Sequence, residues 1–147
     1  SCSISYNMKS NPLRAGSLVV NNNNEILLIF RKGMWDLPKG KLEIEEPPSQ
    51  GALRETSEET GLKLKKLKVK SKLTTTSHLL NGEDAKTKWF LVKYKGFKYK
   101  LIPQKKEGIK ECKWVSEDLL VYYMPELRNY ARDVFDFYFS TVKTHQL

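Results

Sequence analysis

An α/β fold is predicted for this chain by three features of its sequence. Short apolar runs bounded by turn residues read as strands. A segment opened by two prolines and closed by a glycine reads as a helix, and a long amphipathic stretch lies near the C-terminus. With 147 residues the chain is long enough to bury one substantial core. Residues 1–14 are polar and are expected to be irregular, and 15–147 are expected to form a single domain.

The elements follow in order. Leu18-Val19-Val20 and Ile26–Phe30 read as strands joined by Asn21–Asn24, since asparagine tolerates positive φ in turns. Gly33, Pro38 and Gly40 break up a loop. Pro47-Pro48-Ser49 then opens a helix ended by Gly61, with proline in the first turn and glycine past the last. Leu64–Leu73 alternates apolar residues with lysine, which predicts a strand with one solvated face. Lys88–Tyr94 and Glu111–Val115 read as further strands. Ser116-Glu117-Asp118 is expected to cap a short helix. Pro125–Val142 is expected to form one long amphipathic helix carrying Leu127, Tyr130, Val134 and Phe137.

Composition narrows the function classes. Hydrophobic residues are 39% of the chain, charged residues 29% and mean hydropathy is −0.55. No stretch reaches the roughly 18 uncharged apolar residues of a spanning helix, so no membrane partner is expected. An aromatic content of 11% argues against disorder. Cys2 and Cys112 make neither a disulfide framework nor a metal quartet, and the start of the chain lacks a secretory profile. A reducing, cytoplasmic compartment is expected. The first residue is serine, as in a chain trimmed or excised from a longer one. The net charge of +9 points to an anionic partner. Lys63–Lys72 reads as a solvated sheet face. For Lys86, Lys88, Lys93 and Lys95 a solvated role and a phosphate-facing role both stand. Arginine is scarce, which leaves little for reading base edges in a duplex. His78 and His145 lack the spacing of ligands, and no Ser/His/Asp or Cys/His set assembles. Trp35, Trp89, Phe90 and Tyr94 suit either base stacking or the core.

Within the first helix Glu55, Glu58 and Glu59 stand at i, i+3 and i+4, so three carboxylates share a face, while Leu53, Thr56 and Thr60 lie towards the other. Like charges at this spacing cost an isolated helix about 0.2–0.5 kcal/mol per pair. The nearest lysine downstream, Lys63, lies beyond Gly61. Either the face is a plain acidic surface, or a hard divalent cation such as Mg²⁺ neutralises it.

The wider spacing resembles a known signature. Gly40, five residues, Glu46, seven residues, and then Arg54-Glu55-Thr56-Ser57-Glu58-Glu59-Thr60-Gly61-Leu62 is similar to the box of the Nudix hydrolase family. Thr56 alone departs, standing where the pattern asks for an aliphatic residue. Trp35–Glu43 is similar to the loop leading into such boxes. The resemblance implies an α/β/α sandwich with a mixed, curved sheet, and hydrolysis of a nucleoside diphosphate linked to another group. It implies Mg²⁺, with Mn²⁺ as an alternative, held by Glu55, Glu58, Glu59 and the Gly40 carbonyl. Glu58 and Glu59 are thereby expected to serve catalysis. Arg54 is expected to orient a carboxylate, Glu46 to brace the entry to the helix, and Glu107, with Glu111 as runner-up, to supply a late acidic ligand or base.

Pro38-Lys39-Gly40-Lys41 and Arg54-Glu55-Thr56 are similar to the diadenosine-polyphosphate hydrolase subgroup. Lys39, Lys41, Lys86, Lys88 and Trp89 are accordingly expected to bind substrate. Nucleoside triphosphates, oxidised nucleotides and capped RNA remain alternatives of the same chemistry. A non-catalytic nucleotide- or RNA-binding module is the alternative of another class. The sequence leaves the oligomeric state open.

Overall fold

The computed structural model describes residues 13–97 and 101–143. Seven strands form one mixed sheet: β1 (Arg14–Val20), β2 (Glu25–Arg31), β3 (Met34–Asp36), β4 (Lys39–Lys41), β5 (Leu67–Leu80), β6 (Glu83–Tyr94) and β7 (Ile109–Ser116). The central order is β3-β2-β1-β6-β5, with β4 paired to β1 and β7 to β2. Among the described residues only the β1–β6 ladder is parallel.

Helices cover both faces. Helix α1 (Pro48–Thr60) packs Ala52 against Ala15, Val19, Leu27, Phe90 and Val92. Helix α2 (Asn129–Phe137) packs Ala131, Val134 and Phe135 against Leu18, Leu28, Trp89 and Leu91. Strand alternation explains the division, because Ala15 and Val19 face one helix while Leu18 faces the other.

Several boundaries differ from the sequence expectation. Arg14, assigned above to the irregular segment, begins β1 and pairs with Lys41 and Thr87; residues 1–12 lie outside the described region. The strand expected over Leu64–Leu73 starts with a 3₁₀ turn at Leu64–Lys66 and then runs to Leu80. It continues into β6 through Asn81-Gly82, both at positive φ (54° and 80°), the backbone that a two-residue hairpin needs. The segment after Ser116 is a 3₁₀ helix, and the Ser116 side chain makes no capping bond. The long helix expected over Pro125–Val142 is broken. Leu127 is extended and 1% exposed, bridges to Trp35, and the Arg128 N–H donates to the Trp35 carbonyl. Seating Leu127 in the core interrupts the helical path, leaving a 3₁₀ turn at Met124–Glu126, then α2, then a π-helical end at Tyr138–Lys143.

Candidate active site

Helix α1 begins after extended Pro47 with proline in its first turn and ends at Gly61, whose φ of 79° allows its N–H to close on the Ser57 carbonyl. Its inner side is seated on β1 through Ala52, Thr56 and Thr60, all fully buried. The carboxylates are thereby turned towards β4 and the loop that follows it.

Arg54 organises the near side of the cluster. Its Nε and Nη2 donate to the two Glu46 carboxylate oxygens at 2.7 and 2.9 Å, and Nη2 also donates to the Lys41 carbonyl at 2.9 Å. Nη1 donates to Glu55 at 3.1 Å and to Glu58 at 3.2 Å. Glu46 in turn accepts the Glu43 N–H, so the box ties its opening loop to its helix through one planar fork. That bonding holds the Glu46 carboxyl below its ordinary pKa and raises that of Arg54.

Glu59 is 2% exposed and accepts the Lys39 N–H at 3.0 Å. Burial and the neighbouring Glu55 push its pKa up to about 8. Burial, with the hydrogen bond to Glu58, pushes Glu55 up to about 7. A buried carboxylate beside a half-buried one, without full compensation, attracts either a proton or a cation. Gly40 leaves room for this arrangement, since a Cβ there would sit 1.2 Å from Glu55 Oε2. The donor set of hard oxygens, the incompletely compensated pair and the missing Cβ fit a hard divalent cation. Among the described residues no three acidic, His or Cys side chains already close into a cage. Arg54 draws Glu55 and Glu58 to itself instead.

These groups line a cleft of about 510 Å³ that also takes in Lys41, Glu43, Glu107, Arg14 and Arg31. Glu107 reaches it from the 3₁₀ turn Lys105–Glu107, whereas Glu111 lies in β7 opposite Phe30 and does not line it. Lys39 lines the cleft but is 5% exposed, with Nζ 3.8 Å from Asp36 and over the Tyr130 ring.

Three expected substrate contacts need correction. Trp89 is fully buried in the α2-side core and donates Nε1–H to Thr76, so it has no free face for a base. Lys86 and Lys88 alternate with Thr87 and Trp89 along β6 and line neither this cleft nor the cavity beside it. Arg14, Arg31, His78 and Arg128 surround that adjoining cavity instead. The sequence reading missed them because they come from separate elements with no common spacing; the Asn81-Gly82 turn, which extends β5 past His78, was the available signal. His145 and Cys2 lie outside the described residues.

A family model described as NUDIX domain matches residues 10–137. The chain belongs to the NUDIX family. Among curated Nudix relatives, it is 34% identical over 90 residues to the m7GpppN-mRNA hydrolase dcap-2 of Caenorhabditis elegans, covering 60% of this chain and 11% of that protein. It is 27% identical over 144 residues to the RNA pyrophosphohydrolase of Vibrio cholerae, covering 84% and 79%. The chain thus spans a small part of the first relative and most of the second. Among solved structures, the Nudix fold superposes on a C. elegans Ap4A hydrolase binary complex with a TM-score of 0.74, at 18% identity and over 90% of this chain and 98% of that one.

Proposed function

We propose that this Nudix domain is a divalent-metal-dependent pyrophosphohydrolase of a soluble nucleotide polyphosphate, with diadenosine tetraphosphate the first substrate to test. The observation that carries the reading is the interacting Glu55–Glu59 pair, with Glu55 packed where Gly40 lacks a Cβ, opening into a cleft that arginine and lysine also line. Glu55, Glu58, Glu59 and the Gly40 carbonyl would hold Mg²⁺ or Mn²⁺. When bound, such an ion neutralises charge on the phosphoryl oxygens and makes a bound water acidic enough to serve as nucleophile.

The remaining work falls to the chain itself. Arg54 orients Glu55 and Glu58, and the Lys39 N–H fixes one oxygen of Glu59, so the carboxylates need little rearrangement to act together. Glu107, which lines the cleft from the opposing loop, would hold or accept a proton there. Lys41, at the cleft wall, supplies a flexible point charge for phosphate. A reducing, cytoplasmic setting suits the free thiol of Cys112. Among the described residues no helix is long and apolar enough to cross a membrane.

An RNA 5′ end is the second reading. Lys68 and Lys70, exposed on β5 at the sheet edge, favour it as a sequence-independent footing for a backbone. The intact carboxylate set argues against a purely binding role.

The deciding experiment is Mg²⁺-dependent turnover of diadenosine tetraphosphate, ADP-ribose, nucleoside triphosphates and 5′-triphosphate RNA, with products identified in ¹⁸O-labelled water. The expected result is the highest kcat/KM for diadenosine tetraphosphate with ATP among the products. A kcat/KM for ADP-ribose at or above that value would overturn the substrate, and silence across the panel would overturn the activity.

A further inference from the structure

A cavity of about 340 Å³ adjoins the carboxylate cleft and shares Arg14, Arg31 and Lys39 with it. It adds Lys32, His78 and Arg128, and no acidic side chain lines it. Among the described residues Asp36, whose side chain is 1% exposed, is the carboxylate ion-paired with Arg31 and Lys39. Its two oxygens are already divided among the Leu37 N–H, the Tyr130 hydroxyl, Lys39 at 3.8 Å and Arg31 at 3.9 Å. Glu55 and Glu59 of the adjoining cleft act electrostatically on Arg14, Arg31 and Lys39. Five cationic side chains therefore line a cavity whose own lining holds no carboxylate.

The polar atoms are also left over. Arg14 Nε, Arg31 Nε and His78 Nδ1 are buried without a hydrogen-bond partner among the described residues. Thr87, opposite Arg14 in the β1–β6 ladder and fully buried, has an unpartnered hydroxyl as well. A buried polar group left without a partner is destabilising, so a cluster of them is expected to serve a ligand. Burial and the charge of Arg31 lower the Arg14 pKa. A nucleobase carries no charge to relieve this, whereas an oligophosphate carries several, and guanidinium forks match its oxygens.

We infer that Arg14, Arg31, Arg128 and His78 form a subsite for an oligophosphate chain, holding the phosphates that lie beyond the bond broken at the carboxylate centre. This rests on the hydrolase reading for its place in catalysis but not for its binding chemistry. It replaces Lys86 and Lys88 as the source of positive charge for a long substrate.

The test is calorimetric titration of inorganic tripolyphosphate into the metal-free protein in EDTA, where neither turnover nor metal contributes. Wild type is expected to bind, Arg14→Gln and Arg128→Gln each to bind about tenfold more weakly or worse, and Arg14→Lys to keep part of the affinity. Glu58→Gln should not weaken binding. In turnover, Arg128→Gln should raise KM for diadenosine tetraphosphate more than KM for ADP-ribose. Circular dichroism identifies any variant that fails to fold; the two glutamine variants alter different elements, so either one can carry the test. No binding by wild type, or wild-type affinity in a folded Arg14→Gln or Arg128→Gln, would overturn the subsite. Arginine-dependent binding without turnover of any nucleotide would instead overturn the hydrolase reading and leave the subsite standing.

Discussion

Ser17 on β1 and Thr56 on α1 place their hydroxyl oxygens 2.9 Å apart at the buried face between sheet and helix, and both reach the Ala52 carbonyl. Thr56 is the one departure from the box pattern, and Ser17 is what makes it tolerable: a polar group at an apolar position is satisfied by a second one across the interface. A double-mutant cycle should reveal the coupling. Thr56→Val alone should lose about 1 kcal/mol, and Ser17→Ala with Thr56→Val should lose less than the sum of the single changes. Urea denaturation measures this, and strict additivity would contradict it.

Arg54 should not be replaceable by lysine. Lysine keeps the charge but cannot bond both Glu46 oxygens, the Lys41 carbonyl and Glu55 at once. Arg54→Lys should lower kcat/KM by about 10–100-fold, with partial recovery at high Mg²⁺. Glu58→Gln and Glu59→Gln should each keep the fold, lose several orders of magnitude in turnover, and show no such recovery. Initial rates across a Mg²⁺ series distinguish the two patterns.

Metal-free stability should fall as pH rises towards 8. A carboxyl whose folded pKa is raised binds its proton more tightly when folded, so its contribution to stability is present below the unfolded value and lost through the folded one. For Glu59 that interval runs from 4.5 to about 8, and for Glu55 from 4.5 to about 7. His78, lowered by burial and by Lys39, has the opposite sign below its ordinary 6.5, so the fall is clearest above that pH. Thermal melts in EDTA should show the decline, Glu59→Gln should flatten it, and Mg²⁺ should reduce it by holding the ionised form. A melting temperature independent of pH across that interval would count against an incompletely compensated pair.

The β5–β6 hairpin should depend on Gly82. Its φ is 80° and open space surrounds it, so an added methyl group meets backbone strain rather than a clash. Gly82→Ala should cost about 1 kcal/mol, while Asn81→Gly should change little. Thermal or urea unfolding checks both.

The carboxylate centre was legible in the sequence because its parts are local. Gly40, Glu46 and Arg54–Gly61 belong to one loop and one helix, and helical periodicity alone places Glu55, Glu58 and Glu59 together. The edges of the site were not legible. Arg14 begins one strand and Arg31 ends another, His78 lies late in a strand expected to stop at Leu73, and Arg128 follows a residue that breaks the expected C-terminal helix. Trp89 shows the converse: the sequence left it between base stacking and the core, the subgroup resemblance favoured substrate, and the structure buries it fully in the core.

The segment carrying Glu107 is stitched to the helix it faces. The Ile102 N–H bonds the Thr60 carbonyl, the Gln104 N–H bonds the Glu59 carbonyl, and Ile102 crowds Gly61 so closely that a Cβ there would lie 2.9 Å away. A swinging lid would need a free hinge at this point, and these bonds remove it. Glu59 and the loop opposite should therefore breathe as one unit, with the amides of Ile102, Gln104 and Gly61 exchanging with deuterium through a shared opening.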